Sequence, residues 1–249
     1  MRSAEILVDL LGTNRLSDTA DHVAFIRAAV AAGLRHIDTA HLYTGGASER
    51  VIGAALDGID VGEVVVATKG GFRPGEGRPD VLDAQIEQSL RALRTDTIDL
   101  YYLHRVDPET PLEETLGALR EHVDRGTIRQ VGISNVTVAQ IEQARAVVPI
   151  AAVQNHYNIA ERGYDEVVDF CAAEGIVFVP YYPLEGDSPA IAEIATRHDV
   201  APNAVKLAWL LHRSPTMLPI PGTLSLDHLR ENLTALALEL SDEDLATLG

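Results

Sequence analysis

The chain has 249 residues, 46% of them hydrophobic, which is enough to bury one substantial core and is a size typical of a (β/α)8 barrel. Asp and Glu number 37 against 20 Lys and Arg, a formal charge of −17 that excludes nucleic acid and anionic membranes as partners, since both are held by cations that neutralise phosphates. No stretch approaches the roughly 18 apolar residues of a membrane span, no signal-like amino terminus is present, and the one cysteine, Cys171, cannot build a disulfide framework, so a cytoplasmic protein is expected.

Short β-branched or aromatic runs alternate with amphipathic stretches along the chain, a pattern that calls for parallel strands joined by helical crossovers. Strands are expected over residues 6–11, 35–39, 64–68, 97–103, 129–133, 151–154, 177–182 and 217–220. Helices fill the gaps: Ser17 and Asp18 open the first and Gly33 closes it, Pro111 opens the fourth, Gly126 follows its end, and Gly175 ends the sixth. The stretch carrying Cys171 reads as the buried stripe of that sixth helix, making the thiol an inert core group. Two helical stretches, 189–198 and 202–213, separate the last two strands. Strand and helix signals stay in step across the Gly-rich loop at 70–77, and no linker or repeat of fixed sequence period divides the chain, so residues 1–249 are expected to form a single α/β domain, a (β/α)8 TIM barrel rather than an open doubly wound sheet.

In such a barrel the loops after the carboxyl ends of the strands form one face. Polar residues collect at those ends: Asp38 after the second strand with Tyr43 in its loop, Lys69 after the third, His104 after the fourth, Ser134 and Asn135 after the fifth, Gln154 after the sixth and Tyr181 after the seventh. Each alone reads as a solvated end or a packed ring; a water-facing edge, however, has no need of Asp, Lys, His and Tyr converging on one point. An ammonium at Lys69, kept in place by Asp38, would stabilise the phenolate left when Tyr43 gives up its proton, and a neutral His104 could hydrogen-bond a carbonyl oxygen. The group suits polarisation and protonation of a C=O.

The blocks HIDTAHLY (36–43), ATKG (67–70), YLHRVDP (102–108) and VGISN (131–135), extended by QNHYN (154–158), PYYPL (180–184) and IPGT (220–223), resemble the signature segments of the aldo-keto reductases, in order from about residue 10 to 248. The resemblance implies a catalytic tetrad of Asp38, Tyr43, Lys69 and His104, with Ser134, Asn135 and Gln154 holding a nicotinamide carboxamide and Tyr181 stacking on its ring. It implies reduction of a small-molecule carbonyl substrate by hydride from NADPH (NADP), with NADH the lesser alternative, in a monomer without a metal. The adenosine end of the cofactor would lie along Pro221, Gly222, Thr223, His228, Glu231 and Asn232. The missing G-x-G-x-x-G fits that family's non-Rossmann cofactor site.

Departures from the pattern carry their own expectations. Many relatives place Lys and Arg where this chain has Gly222 and His228, cations that grip the 2′-phosphate; backbone N–H groups of the helix following Thr223 and Ser225 are expected to bind phosphate in their stead, because Arg230 faces nearly the opposite way. Short loops at 105–110 and 185–187, and the absence of a tail after Gly249, suggest an open site of broad selectivity whose cofactor leaves quickly. Few residues precede the first strand, where relatives carry a hairpin that plugs the barrel floor. Competing readings are a redox-inactive, cofactor-binding regulatory subunit of the same fold, and a barrel of another class: a Schiff-base lyase on Lys69, or a metal hydrolase, against which the lack of an H-x-H or H-E-x-x-H cluster argues.

Overall fold

A computed structural model of the protein describes residues 10–59 and 64–249. Seven strands lie side by side in chain order: β1 (Leu10–Gly12), β2 (His36–Asp38), β3 (Val65–Gly70), β4 (Ile98–Leu103), β5 (Ile128–Ser134), β6 (Ile150–His156) and β7 (Val177–Tyr181). Every neighbouring pair is parallel. That follows from the crossovers, since a chain that returns through a helix re-enters the sheet in the same direction. The helices are α1 (Ala20–Ala31), α2 (Ala47–Leu56), α3 (Pro79–Leu93), α4 (Leu112–Arg125), α5 (Val138–Arg145), α6 (Asp165–Glu174), α7 (Pro189–His198), α8 (Pro202–Arg213), α9 (Leu226–Leu233) and α10 (Asp242–Leu248). Of the expected first strand, residues 6–9 lie outside the described residues, as does the question of what covers the barrel floor before them.

The expected eighth strand needs correction. Residues 217–220 form no ladder; Met217 pairs with Phe178, and Gly222 with Gly12, through isolated parallel bridges. Leu218 N–H donates to the Phe178 carbonyl at 2.8 Å and Gly12 N–H to the Pro221 carbonyl at 3.3 Å. Pro219 and Pro221 lack the N–H that alternate rungs require, so the segment spans from β7 to β1 and closes the barrel without becoming a regular strand. The opening of α1 also differs: Thr19, not Ser17 or Asp18, caps it by accepting from His22 N–H, while Asp18 binds Arg50 at 2.5 Å.

Side chains along a strand alternate in direction, and the two cores record this. Ile37, Tyr101, Leu103, Val131, Ile133, Val153 and Phe178 point outward into the large cluster shared with the helices, which also holds the buried Cys171. Ala67, Leu100, Tyr102, Ala152 and Val179 point inward and fill the barrel together with Leu218 and Ile220. Burial pushes the Cys171 thiol up to about 12, as befits an inert core group. Gly132 belongs to the inward set, and a Cβ there would stand 2.4 Å from the Tyr102 ring, so only glycine lets that ring fill the centre. Among the described residues no helix is long and apolar enough to cross a membrane.

Candidate active site

Continuing the inward alternation toward the carboxyl ends leads from Ala67 to Lys69, from Tyr102 to His104, from Gly132 to Ser134, from Ala152 to Gln154 and from Val179 to Tyr181; Asp38 lies two residues beyond His36. Period two in the strands is therefore what gathers these groups. Lys69 and Asp38 are both buried, and the ammonium lies 2.5 Å from Asp38 Oδ1 while donating also to the Thr39 carbonyl at 2.7 Å. The other Asp38 oxygen accepts from Gln154 Nε2 at 2.9 Å. Each charge is thus paired and hydrogen-bonded, the condition under which an interior ion pair is tolerated.

Tyr43 reaches the same place from a tight turn after β2. Its N–H donates to the Ala40 carbonyl at 3.0 Å, and the chain then takes left-handed conformations at Thr44, Gly45 and Gly46 (φ 49°, 64° and 81°), which the two glycines accommodate. The Thr44 hydroxyl, donating to the Leu16 carbonyl at 2.6 Å, anchors the turn to the first loop. The Tyr43 ring centre is 5.2 Å from the Lys69 ammonium and 6.1 Å from the His104 ring, edge to face.

Electrostatics separate the roles. Burial raises the Tyr43 phenol above its ordinary value; Lys69, by its charge and by hydrogen bonding, pulls it down, and Asp38 pushes it up. The net direction is upward, so the expected acidification by Lys69 is present only as a partial offset, because a carboxylate neutralises the ammonium and water is scarce. His104 is driven down to about 3, chiefly by burial and then by the charges of Lys69 and Arg105. It is neutral at physiological pH, and its Nδ1 is buried without a hydrogen-bond partner.

Asp38, Tyr43 and His104 line one cavity of about 540 Å³ with Ser134, Asn135, Gln154, Tyr181 and Gly222, and Lys69 lies behind its wall, bound to Asp38. The amide-bearing residues hold one another: Ser134 donates to the Gln154 carbonyl at 2.6 Å, Asn135 Nδ2 donates to Ser134 Oγ at 3.0 Å and to the His104 carbonyl at 3.2 Å, and Tyr181 donates to Asn135 Oδ1 at 2.8 Å. One face of Tyr181 is covered by His156, stacked at 5.2 Å, while the phenol ring also lines the cavity. At the carboxyl end, Pro221 is buried in the seam and Thr223 Oγ1 accepts from Ser225 N–H at 3.0 Å. Ser225 in turn caps α9 by accepting from His228 N–H. His228, Glu231 and Asn232 lie on α9 and are not among the cavity's lining residues. Arg230 is exposed and bound to Asp227 at 2.8 Å.

Several cavity residues lie outside the strand-end logic. Arg15, in the loop after β1, comes within 3.7 Å of where a Cβ on Gly222 would be. Phe72 packs its ring 4.9 Å from that of His104, and Arg105 lies 4.4 Å over the Phe72 ring. His156, which backs Tyr181 without lining the cavity, follows Gln154 by two along β6 and is aimed by that period, whereas Arg15 and Phe72 lie in loops, where no periodicity aims a side chain.

A protein-family model described as the aldo/keto reductase family matches residues 10–189 and 187–249. Pyridoxine 4-dehydrogenase of Escherichia coli (strain K12) is 38% identical over 246 residues, covering 91% of this chain and 86% of its own. An oxidoreductase of Schizosaccharomyces pombe is 37% identical over 227 residues, with 86% and 74% covered. Among solved structures, a thermostable aldo-keto reductase in complex with the inhibitor epalrestat superposes with a TM-score of 0.89 at 35% identity, covering 96% of this chain and 92% of its own. An aldo-keto reductase of Klebsiella pneumoniae in complex with NADPH gives 0.86 at 32% identity, covering 97% and 89%. Fold and sequence agree, and the chain belongs to the aldo/keto reductase family of oxidoreductases.

Proposed function

We propose that this protein reduces aldehydes or ketones to alcohols, with hydride taken from NADPH and the proton from Tyr43. The observation that carries the reading is the meeting of Tyr43, a neutral His104 and Asp38 at one cavity, with the buried Lys69 ammonium bound to Asp38 and 5.2 Å from the Tyr43 ring. Lys69, fixed by Asp38 and the Thr39 carbonyl, cannot swing away and stabilises the phenolate that remains after proton transfer. His104 hydrogen-bonds the substrate oxygen and orients it toward the phenol. Reduced nicotinamide, when bound, supplies the hydride to the carbonyl carbon. Tyr43 then delivers its proton to the carbonyl oxygen, completing the alcohol.

The residues present fit that cofactor. Tyr181, backed by His156, offers an aromatic platform, and Ser134, Asn135 and Gln154 carry the amide and hydroxyl groups that would grip a carboxamide after relaxing some of their mutual bonds. Near Gly222 the cation of choice for the phosphates is Arg15; the N–H groups of Ser225 and His228 are already taken by Thr223 and Ser225. Thr223, His228, Glu231 and Asn232 would border the adenosine end. The NADPH bound by the Klebsiella pneumoniae relative favours NADPH over NADH. In the same reading the whole chain works in the cytoplasm as one domain and as a monomer, with an open site that accepts a range of carbonyl compounds.

The test is direct. Purified protein should quench or shift nicotinamide fluorescence on titration with NADPH, more tightly than with NADH, and should consume NADPH when given a panel of aliphatic and aromatic aldehydes. Binding of neither nucleotide, or absence of turnover across the panel, would overturn the proposal.

A further inference from the structure

Two cations stand apart from the rest of this acidic chain. Every other described arginine holds at least one oxygen, as Arg50 holds Asp18, Arg94 holds Asp57, Arg145 holds Glu174 and Arg213 holds Asp169. Among the described residues, Arg15 and Arg105 have neither an ion pair nor a side-chain hydrogen bond, and both line the active cavity. With 37 carboxylates against 20 basic residues, a guanidinium left without a carboxylate is not a matter of shortage. The carboxylates that border the same cavity are otherwise engaged: Asp38 by Lys69 and Gln154, and Glu185 by His156 at 3.4 Å.

Arg15 sits at the Gly222 end, where the cofactor is expected, whereas Arg105 follows His104 directly and stacks on Phe72, which packs on the His104 ring. A guanidinium lying on an aromatic face keeps its N–H donors free at the edge of the plane, in the forked geometry that matches a carboxylate. Its platform is fixed in advance. Phe72 N–H donates to Glu76 at 3.0 Å, and Asp107 accepts from Gly75 N–H at 3.0 Å and Gly77 N–H at 2.8 Å, tying the loop after β3 to the loop that carries Arg105.

We infer that Arg105 is a specificity-determining residue that receives a carboxylate on the substrate, so that the preferred substrates are oxo acids whose carbonyl faces Tyr43 and His104 while an acid group a short spacer away meets the guanidinium. The inference rests on the reductase reading above and names its substrate class.

The experiment compares each aldehyde acid with its neutral methyl ester, 3- and 4-carboxybenzaldehyde with methyl 3- and 4-formylbenzoate, for the unaltered enzyme and for Arg105→Met and Arg105→Lys. For at least one isomer, the unaltered enzyme should favour acid over ester in kcat/KM by about 10-fold or more, mostly through KM, and the preference should shrink as salt is raised. Arg105→Met should lower kcat/KM for the acid by about 10- to 100-fold with the ester changed less than about 3-fold, and Arg105→Lys should recover part of the loss. Equal use of acid and ester by the unaltered enzyme, a comparison that needs no variant, would overturn the inference while leaving the reductase reading standing. So would an equal loss on both in Arg105→Met. Reduction of neither aldehyde class would overturn the reductase reading and this inference with it.

Discussion

Gln154 and Asp38, 116 residues apart in the chain, are joined by a 2.9 Å hydrogen bond from the Gln154 amide to the carboxylate that holds Lys69. A residue expected to grip the cofactor is thereby coupled to one expected to support proton transfer. Rearrangement of that amide around a ligand changes the partner set of Asp38 and, through it, the ammonium beneath Tyr43.

Replacing Tyr43 with Phe removes the proton while keeping the ring on Lys69. Carbonyl reduction should fall by about 10²- to 10⁴-fold in kcat. Nucleotide affinity, read by fluorescence titration, should stay within a few-fold. A Tyr43→Phe enzyme with unaltered turnover would refute its role as donor.

Breaking the buried ion pair tests stability and chemistry separately. Asp38→Asn leaves the Lys69 ammonium without its counter-charge and should cost about 3–5 kcal/mol in chemical denaturation, while Asp38→Asn combined with Lys69→Met should recover most of that loss and remain inactive. Additive losses in the double variant would mean that the two side chains do not act as a pair.

Acid should weaken the fold through its interior histidines. Burial, ahead of the opposing pull of Asp38, lowers His36 to about 4, and burial also lowers His104 to about 3, both from an ordinary value of 6.5. Folded-state values below the unfolded one mean that the unfolded chain takes up protons first, so stability is full above about pH 7 and declines as pH drops through 6.5 toward 4. Each histidine should account for a loss on the order of 1 to 3 kcal/mol by about pH 4. Denaturation midpoints measured across this window should fall less steeply in His36→Leu; an unchanged slope would show that His36 is not the group responsible.

Arg15→Gln should weaken NADPH binding by about 10-fold, as expected for loss of one charge-assisted contact to phosphate. A matching loss for NADH would assign the contact to the diphosphate, and a loss confined to NADPH would assign it to the 2′-phosphate. Unchanged affinity for both nucleotides would remove Arg15 from the cofactor site.

Much of this arrangement is legible before any coordinates because parallel strands carry a strict two-residue alternation. Once Ala67 or Tyr102 is assigned inward, Lys69 and His104 follow, and the barrel brings their ends together. The two helices between β7 and the closing segment were equally readable, since prolines mark the start of each. What escapes such reading depends on distance in space and on competing energies. The stacking of Arg105 on Phe72 joins two loops without periodicity. The direction in which the Tyr43 phenol shifts depends on burial outweighing Lys69, a balance that spacing along a chain does not encode. The closing segment reads as an eighth strand because hydrophobic residues stand at 217, 218 and 220, while Pro219 and Pro221 forbid the ladder of a regular strand.

That proline-interrupted closure has a mechanical meaning. Elsewhere around the ring adjacent staves are bound by regular rungs, whereas the last is moored to its neighbours by a few amide contacts, so the barrel has a built-in weak line running beside Gly12 and Gly222. Amide hydrogens there should exchange with solvent sooner than those of β4 and β5, and transient parting of this line would open a way in and out at the edge of the pocket while leaving the Asp38–Lys69 pair intact.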